Sequence, residues 1–144
     1  MELPEYITKE EVQRVCREIG LSDWTQLTNA KITLEEAKII QESLGGEASQ
    51  ISSDEFRRGL EVELEHGLTF TDANVTNNHP LLTGKIVKAH LKEMLDYYLR
   101  LEVAELEGDL FKAAANGDGA KLLNKYQKLI DARMDLCISE KANR

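Results

Sequence analysis

Cysteine is scarce, at 2 of 144 residues, and Cys16 and Cys137 stand far apart with no CxxC and no Cys/His cluster around either. A disulfide scaffold and a structural zinc finger are therefore not indicated, and both residues read as idle or buried thiols. Basic residues are also in deficit, with 18 Lys and Arg against 26 Asp and Glu for a formal net charge of -8. A phosphate-binding surface would have to gather cations against that background, so nucleic acid is not an expected partner. Long apolar runs are missing too. Nothing approaches the roughly 20 residues a membrane-spanning helix needs, and Met1-Glu2-Leu3-Pro4-Glu5 is not the basic-then-apolar start of a signal peptide. The expectation is a soluble, cytoplasmic chain with no membrane partner. Asn74-Val75-Thr76 fits a glycosylation sequon but, without a secretion signal, reads as loop chemistry. Alternating apolar runs bounded by turns, the mark of strands, are absent as well.

What is present is helical. A hydrophobic content of 42% and a charged content of 31% over 144 residues suit one domain with a real core. Three helix starts repeat one signal: Ile7-Thr8 with Glu11 and Val12, Ile32-Thr33 with Glu36 and Ala37, and Ile51-Ser52 with Glu55 and Phe56. In each, a hydroxyl can cap the helix, a Glu three residues on can return a bond to the cap, and flanking apolar residues can pack together. The first helix should run over 9–19 and stop at Gly20, with Val12, Val15, Cys16 and Ile19 inward; the second should end at Gly45-Gly46. Trp24 and Leu27 can fill the gap between them. The third should cover 54–66 and end at Gly67 in a left-handed cap.

A polar loop then leads to His79-Pro80, with proline near the first turn of a helix where its missing N–H is harmless. Val87, Leu91, Met94, Leu95, Tyr98 and Leu101 recur at helical spacing, which predicts one long central helix reaching 106 and extending to 115 if it passes Gly108. Asn116-Gly117-Asp118-Gly119 is a turn, after which Leu122, Leu123, Tyr126, Leu129, Ile130, Met134 and Cys137 make an amphipathic helix able to fold back antiparallel. The reading is all-α: about five helices in a bundle-like single domain over 1–144. Within it, 1–50 holds short paired helices, 51–107 a motif-bearing core and 108–144 the C-terminal hairpin helix.

Two histidines draw attention to that core. Glu63 and His66, and likewise His90 and Glu93, sit three positions apart, a spacing that puts both side chains of a pair on one side of a helix. Helical phase sends Glu63 inward among Phe56, Leu60 and Leu64 and Glu65 outward, with His90 inside an apolar arc, Glu93 at its edge, and Glu102 and Glu105 returning to the inward face. A carboxylate facing a core calls for a partner, a proton or a cation. Antiparallel packing of the two helices would converge Glu63, His66, His90 and Glu93, with Glu105 a turn away, a donor set suited to iron, manganese or zinc. Inward Glu-x-x-His pairs resemble ferritin-like di-metal ligands, but the second pair is reversed here. The competing account makes His66 a helix-terminal histidine, His90 a hydrogen-bonded core residue and the glutamates partners of Arg57, Arg58, Lys85, Lys88 or Arg100. Thr83-Gly84-Lys85 lacks the upstream glycine and the strand of a phosphate loop.

Phe56-Arg57-Arg58-Gly59-Leu60 with Glu61-Val62-Glu63-Leu64-Glu65-His66-Gly67, then Asn74-Val75-Thr76, Thr83-Gly84-Lys85-Ile86 and Ala89-His90-Leu91-Lys92-Glu93 with Asp96-Tyr97-Tyr98, resembles a small bacterial and viral domain family of unknown function. The likeness covers 53–105. It departs at Val87-Lys88 and at Leu95, where the family often carries proline. The resemblance places Glu63, Glu65, His66, His90, Glu93 and Glu105 on family positions and implies no established reaction. The expected function is divalent-metal binding by Glu63, His66 and His90, with Glu93 and Glu105 completing the shell or orienting the histidines. The alternative is a non-enzymatic protein-protein interaction module with a structural polar core. A homo-oligomer or another protein docked on helical surfaces is the corresponding partner, and no catalytic residue is assigned.

Overall fold

The computed structural model describes residues 3–143, and all regular secondary structure among them is helical. Six α-helices follow in order: α1 (Lys9–Ile19), α2 (Leu34–Leu44), α3 (Ser53–Thr69), α4 (Pro80–Glu93), α5 (Tyr97–Ala115) and α6 (Gly119–Ala142), with 3-10 turns at Trp24–Gln26, Gly46–Gln50 and Thr71–Ala73. None of these helices is long and apolar enough to cross a membrane. The chain forms two compact units that meet in sequence between Lys92 and Glu93, inside the motif-bearing segment.

Local chemistry accounts for the helix starts in the first unit. Thr8 accepts a hydrogen bond from the Glu11 amide at 3.2 Å, and Ser52 accepts one from the Glu55 amide at 3.5 Å. Only α2 has the full reciprocal box: Thr33 accepts from the Glu36 amide at 3.1 Å while the Glu36 carboxylate accepts from the Thr33 amide at 3.2 Å. In α1 the corresponding Glu11 carboxylate is held by Arg14 instead. Glu36 also accepts from the Ser22 amide and hydroxyl, the latter at 2.6 Å, which ties the α1–α2 connection to the start of α2. Burial raises the affinity of Glu36 for a proton, but the Ser22 and Thr33 donors outweigh it and hold the carboxyl below its ordinary range. Gly20 ends α1 at φ 80°, the left-handed region where glycine carries no Cβ penalty.

Val12, Cys16, Trp24, Ile40, Phe56, Leu60, Leu64, Val87 and Leu91 are buried, so each of the four helices contributes the face its apolar period selects. Gly84 lets α4 approach closely. A Cβ there would lie 2.8 Å from Ile40 Cγ2 on α2 and 2.9 Å from Leu44 Cδ1. The Thr83-Gly84-Lys85 run is thus a packing device.

Two expectations are corrected. The single long helix is two, because α4 ends at Glu93 and α5 begins at Tyr97. Between them the backbone turns, with the Tyr97 amide donating to the Met94 carbonyl, and Met94 and Leu95 are exposed rather than inward. Asp96 is buried at the head of α5, and its two carboxylate oxygens accept from Arg100 at 2.9 and 2.7 Å. Asp96 makes no side-chain capping bond to the new helix; its carboxylate is held by Arg100 one turn on. Second, α3 does not end at Gly67 but runs to Thr69, with Gly67 buried inside it.

The second unit is an antiparallel helical hairpin. Gly117, at φ 66°, makes the turn, and Asp118 caps α6 by accepting from the Lys121 amide at 3.0 Å. Leu106 of α5 buries against Leu129 and Ala132 of α6, with Val103 and Leu110 alongside. Lys125–Asp109 at 2.6 Å, Arg133–Glu107 at 2.8 Å and Arg100–Glu140 at 2.9 Å set the register.

Candidate functional site

The last turns of α3, the loop that follows and the first turns of α4 enclose a cleft of about 240 Å³. Its walls carry Glu63, His66 and Phe70 from the α3 side, Asn74, Val75 and Thr76 from the loop, and Thr83 and Ile86 from α4. Phe70 and Val75 are exposed and Ile86 is partly so, which gives the cleft an apolar rim.

The loop is held in shape by its asparagines. Asn74 Nδ2 donates to the Gly67 carbonyl at 3.2 Å and to Asn78 Oδ1 at 3.0 Å, while Asn74 Oδ1 accepts from the Asn78 amide and from the Thr76 hydroxyl, both at 3.3 Å. Asn77 Nδ2 donates to the Ile7 carbonyl at 2.6 Å and to the Glu5 carboxylate, which anchors the loop to the segment before α1. Asn77 and Asn78 lie at φ 48° and 58°, a left-handed pair that asparagine tolerates better than other side chains with a Cβ. Gly67 is required where this network meets α3, since a Cβ there would fall 2.1 Å from Asn78 Oδ1. The sequon is therefore loop chemistry, with Asn74 as its hub.

His79 closes the loop and starts α4. Its ring Nδ1 accepts from the Leu82 amide at 3.4 Å, so the imidazole does the work of a capping side chain ahead of Pro80. Burial lowers its affinity for a proton, the nearby Arg14 and Lys85 lower it further and Glu11 partly opposes them, which keeps Nδ1 available as an acceptor.

Glu63 is mostly buried and Glu65 exposed, as helical phase requires. Across the α3–α4 packing Glu63 meets His90, with Nδ1 to Oε1 at 3.2 Å. His66 lies exposed on the cleft wall. Glu93 and Glu105 are exposed and belong to the second unit, and Glu102 is exposed as well: the helix break resets the phase that had placed Glu102 and Glu105 inward. Among the described residues no group of three or more His, Cys, Asp or Glu side chains is arranged to hold a metal ion. Tyr97 and Tyr98 pack edge to face, with ring centres 5.1 Å apart. Helical phase did not reveal the roles of Asn74, Asn78, Phe70 and Ile86, which depend on how the loop folds; the Asn-rich composition and the positive-φ preference of asparagine were the only signals.

A family model described as a protein of unknown function, DUF5661, matches residues 12–107. The chain belongs to the DUF5661 family. The match spans most of α1, all of α2, α3 and α4, the whole cleft and about half of α5, and it leaves α6 of this DUF5661 protein outside. No curated protein and no solved structure matches the chain.

Proposed function

We propose that this DUF5661 protein is a non-enzymatic interaction module that seats an apolar side chain of a partner polypeptide in the cleft at the α3–α4 junction. The observation that carries the reading is an apolar rim of Phe70, Val75 and Ile86 around a cleft whose loop wall is locked by side-chain hydrogen bonds. A volume of about 240 Å³ falls below the roughly 300–1,000 Å³ usual for small-molecule and cofactor pockets. It suits one anchoring side chain of the kind that dominates protein–protein contacts. Glu63 and His66 supply polar partners for the backbone on either side of that anchor.

Selection from a random peptide library on immobilised protein tests this. Enriched peptides should share an apolar anchor and lose binding to Phe70→Ser and Ile86→Asp, while Phe111→Ser leaves them bound. Peptides that bind all three variants equally, or no enrichment, would refute it.

A second reading, divalent-metal binding, is favoured by the Glu63–His90 contact. A carboxylate on one ring nitrogen is the arrangement that commonly orients a metal-ligating imidazole. Iron, manganese or zinc would then take His90 and His66 as ligands, with Glu63 as ligand or orienter. Elemental analysis of protein purified without added metal checks it, together with melts of Glu63→Gln and Glu65→Gln with and without chelator. Metal retained after combined His66→Ala and His90→Ala, or equal chelator sensitivity in wild type and Glu63→Gln, would remove this reading.

A further inference from the structure

The hairpin of the second unit has more apolar surface than it uses. Leu129 and Ala132 of α6 face α5, yet Leu123, Tyr126, Ile130, Met134 and Ile138 form a second stripe on the same helix and, with Phe111 of α5, are each between 44% and 76% exposed. Cys137, also exposed, lies in this stripe. No charged side chain interrupts its line from Leu123 through Tyr126, Ile130 and Met134 to Cys137, a length of roughly 21 Å at 1.5 Å per residue. The hairpin register places Phe111 alongside residues 123–130, which widens the patch.

Size and charge together point to the occupant. Taking each of these six residues at roughly 200 Å², of the order an aromatic side chain buries, the exposed fractions amount to about 700 Å² per chain. That exceeds the roughly 300–600 Å² of the largest patch on a typical monomer and approaches the roughly 800 Å² each partner contributes to a stable complex. Charge along α6 is segregated: Lys121 and Lys128 lie in its first half and Asp131 and Asp135 in its second, while Lys125, Arg133 and Glu140 are engaged by Asp109, Glu107 and Arg100 within the hairpin and Lys141 sits in the last turn. A second α6 laid antiparallel brings each basic half against an acidic one, whereas a parallel copy opposes like charges. A two-fold axis makes such a patch self-complementary.

We propose that α6 docks antiparallel on α6 of a second copy, about a two-fold axis near Ile130, so that two α5–α6 hairpins form a four-helix bundle. Cys137 of one copy then lies opposite Leu123 of the other. Sedimentation equilibrium of the full chain should show a reversible dimer of twice 16.3 kDa. Ile130→Glu, and separately Met134→Lys, should each weaken it by roughly a hundredfold or more, since a two-fold axis counts every substitution twice. Both positions are exposed, so helical content and melting temperature at low concentration should match wild type. Under mild oxidation Leu123→Cys should cross-link between copies through peptides containing positions 123 and 137, while wild type should not link through Cys137 alone. A monomer at every concentration up to about 1 mM would overturn self-docking and assign the face to a different protein. A dimer indifferent to both charged substitutions would overturn the surface, and rapid Cys137–Cys137 linkage in wild type would overturn the antiparallel arrangement.

Discussion

Replacing Gly67 by alanine should destabilise the first unit even though the residue lies inside a helix, where the substitution ordinarily helps. Alanine improves helix propensity by about 1 kcal/mol. Against this, the new Cβ falls 2.1 Å from Asn78 Oδ1 and 3.0 Å from Asn74 Nδ2, atoms bonded to each other at 3.0 Å. Overpacking costs roughly 1–3 kcal/mol, and the Asn74–Asn78 and Asn74–Gly67 bonds that must yield are each worth about 1 kcal/mol. The net expectation is a loss of about 2–4 kcal/mol in urea melts followed by circular dichroism. Gly108 is the internal control, because it also lies within a helix but has nothing within 4 Å of the position a Cβ would take. Gly108→Ala should therefore gain about 0.5–1 kcal/mol. Asn78→Gly keeps the left-handed backbone accessible and removes the nearest obstacle, so in that background the cost of Gly67→Ala should shrink by about 1 kcal/mol or more. A stabilising Gly67→Ala, or a cost unchanged by Asn78→Gly, would refute the close-approach reasoning.

Gly84→Ala should also destabilise, by about 1–2 kcal/mol net of its propensity gain, because the atoms it meets on Ile40, Leu44 and Phe56 belong to or border the core; denaturant melts check it. Glu36→Gln should cost about 1–2 kcal/mol by weakening the cap of α2 and the Ser22 contact, with loss of amide-exchange protection at the start of α2 as the local readout. His79 makes stability depend on pH. Its folded-state proton affinity is depressed, so its contribution is fully present above the ordinary imidazole value near 6.5 and declines as pH falls below it, when the unfolded chain takes up a proton that the folded chain resists. His79→Asn, which can still cap α4 but does not titrate, should flatten the melting temperature between about pH 7 and 5 relative to wild type.

Much of the architecture was legible in short sequence signals because those signals act locally. A hydroxyl three residues before a glutamate caps a helix whatever packs on it, so the starts at Thr8, Thr33 and Ser52 were readable, as were the stop at Gly20 and the turn at Gly117. Helical phase likewise separated Glu63 from Glu65, because a 100° step per residue is a property of the backbone alone. Tertiary structure decided the rest. The apolar period through Met94 and Leu95 continues in phase from Leu91 to Tyr98, yet the backbone turns there, Asp96 is buried against Arg100, and the second helix starts in a phase that leaves Glu102 and Glu105 exposed. Gly67 reads as a helix stop until the asparagine loop folds over it, and Glu63 meets a residue 27 positions away, His90, across the helix packing. Those outcomes depend on which surfaces meet across long stretches of chain, and no periodicity within one element encodes the identity of its neighbour.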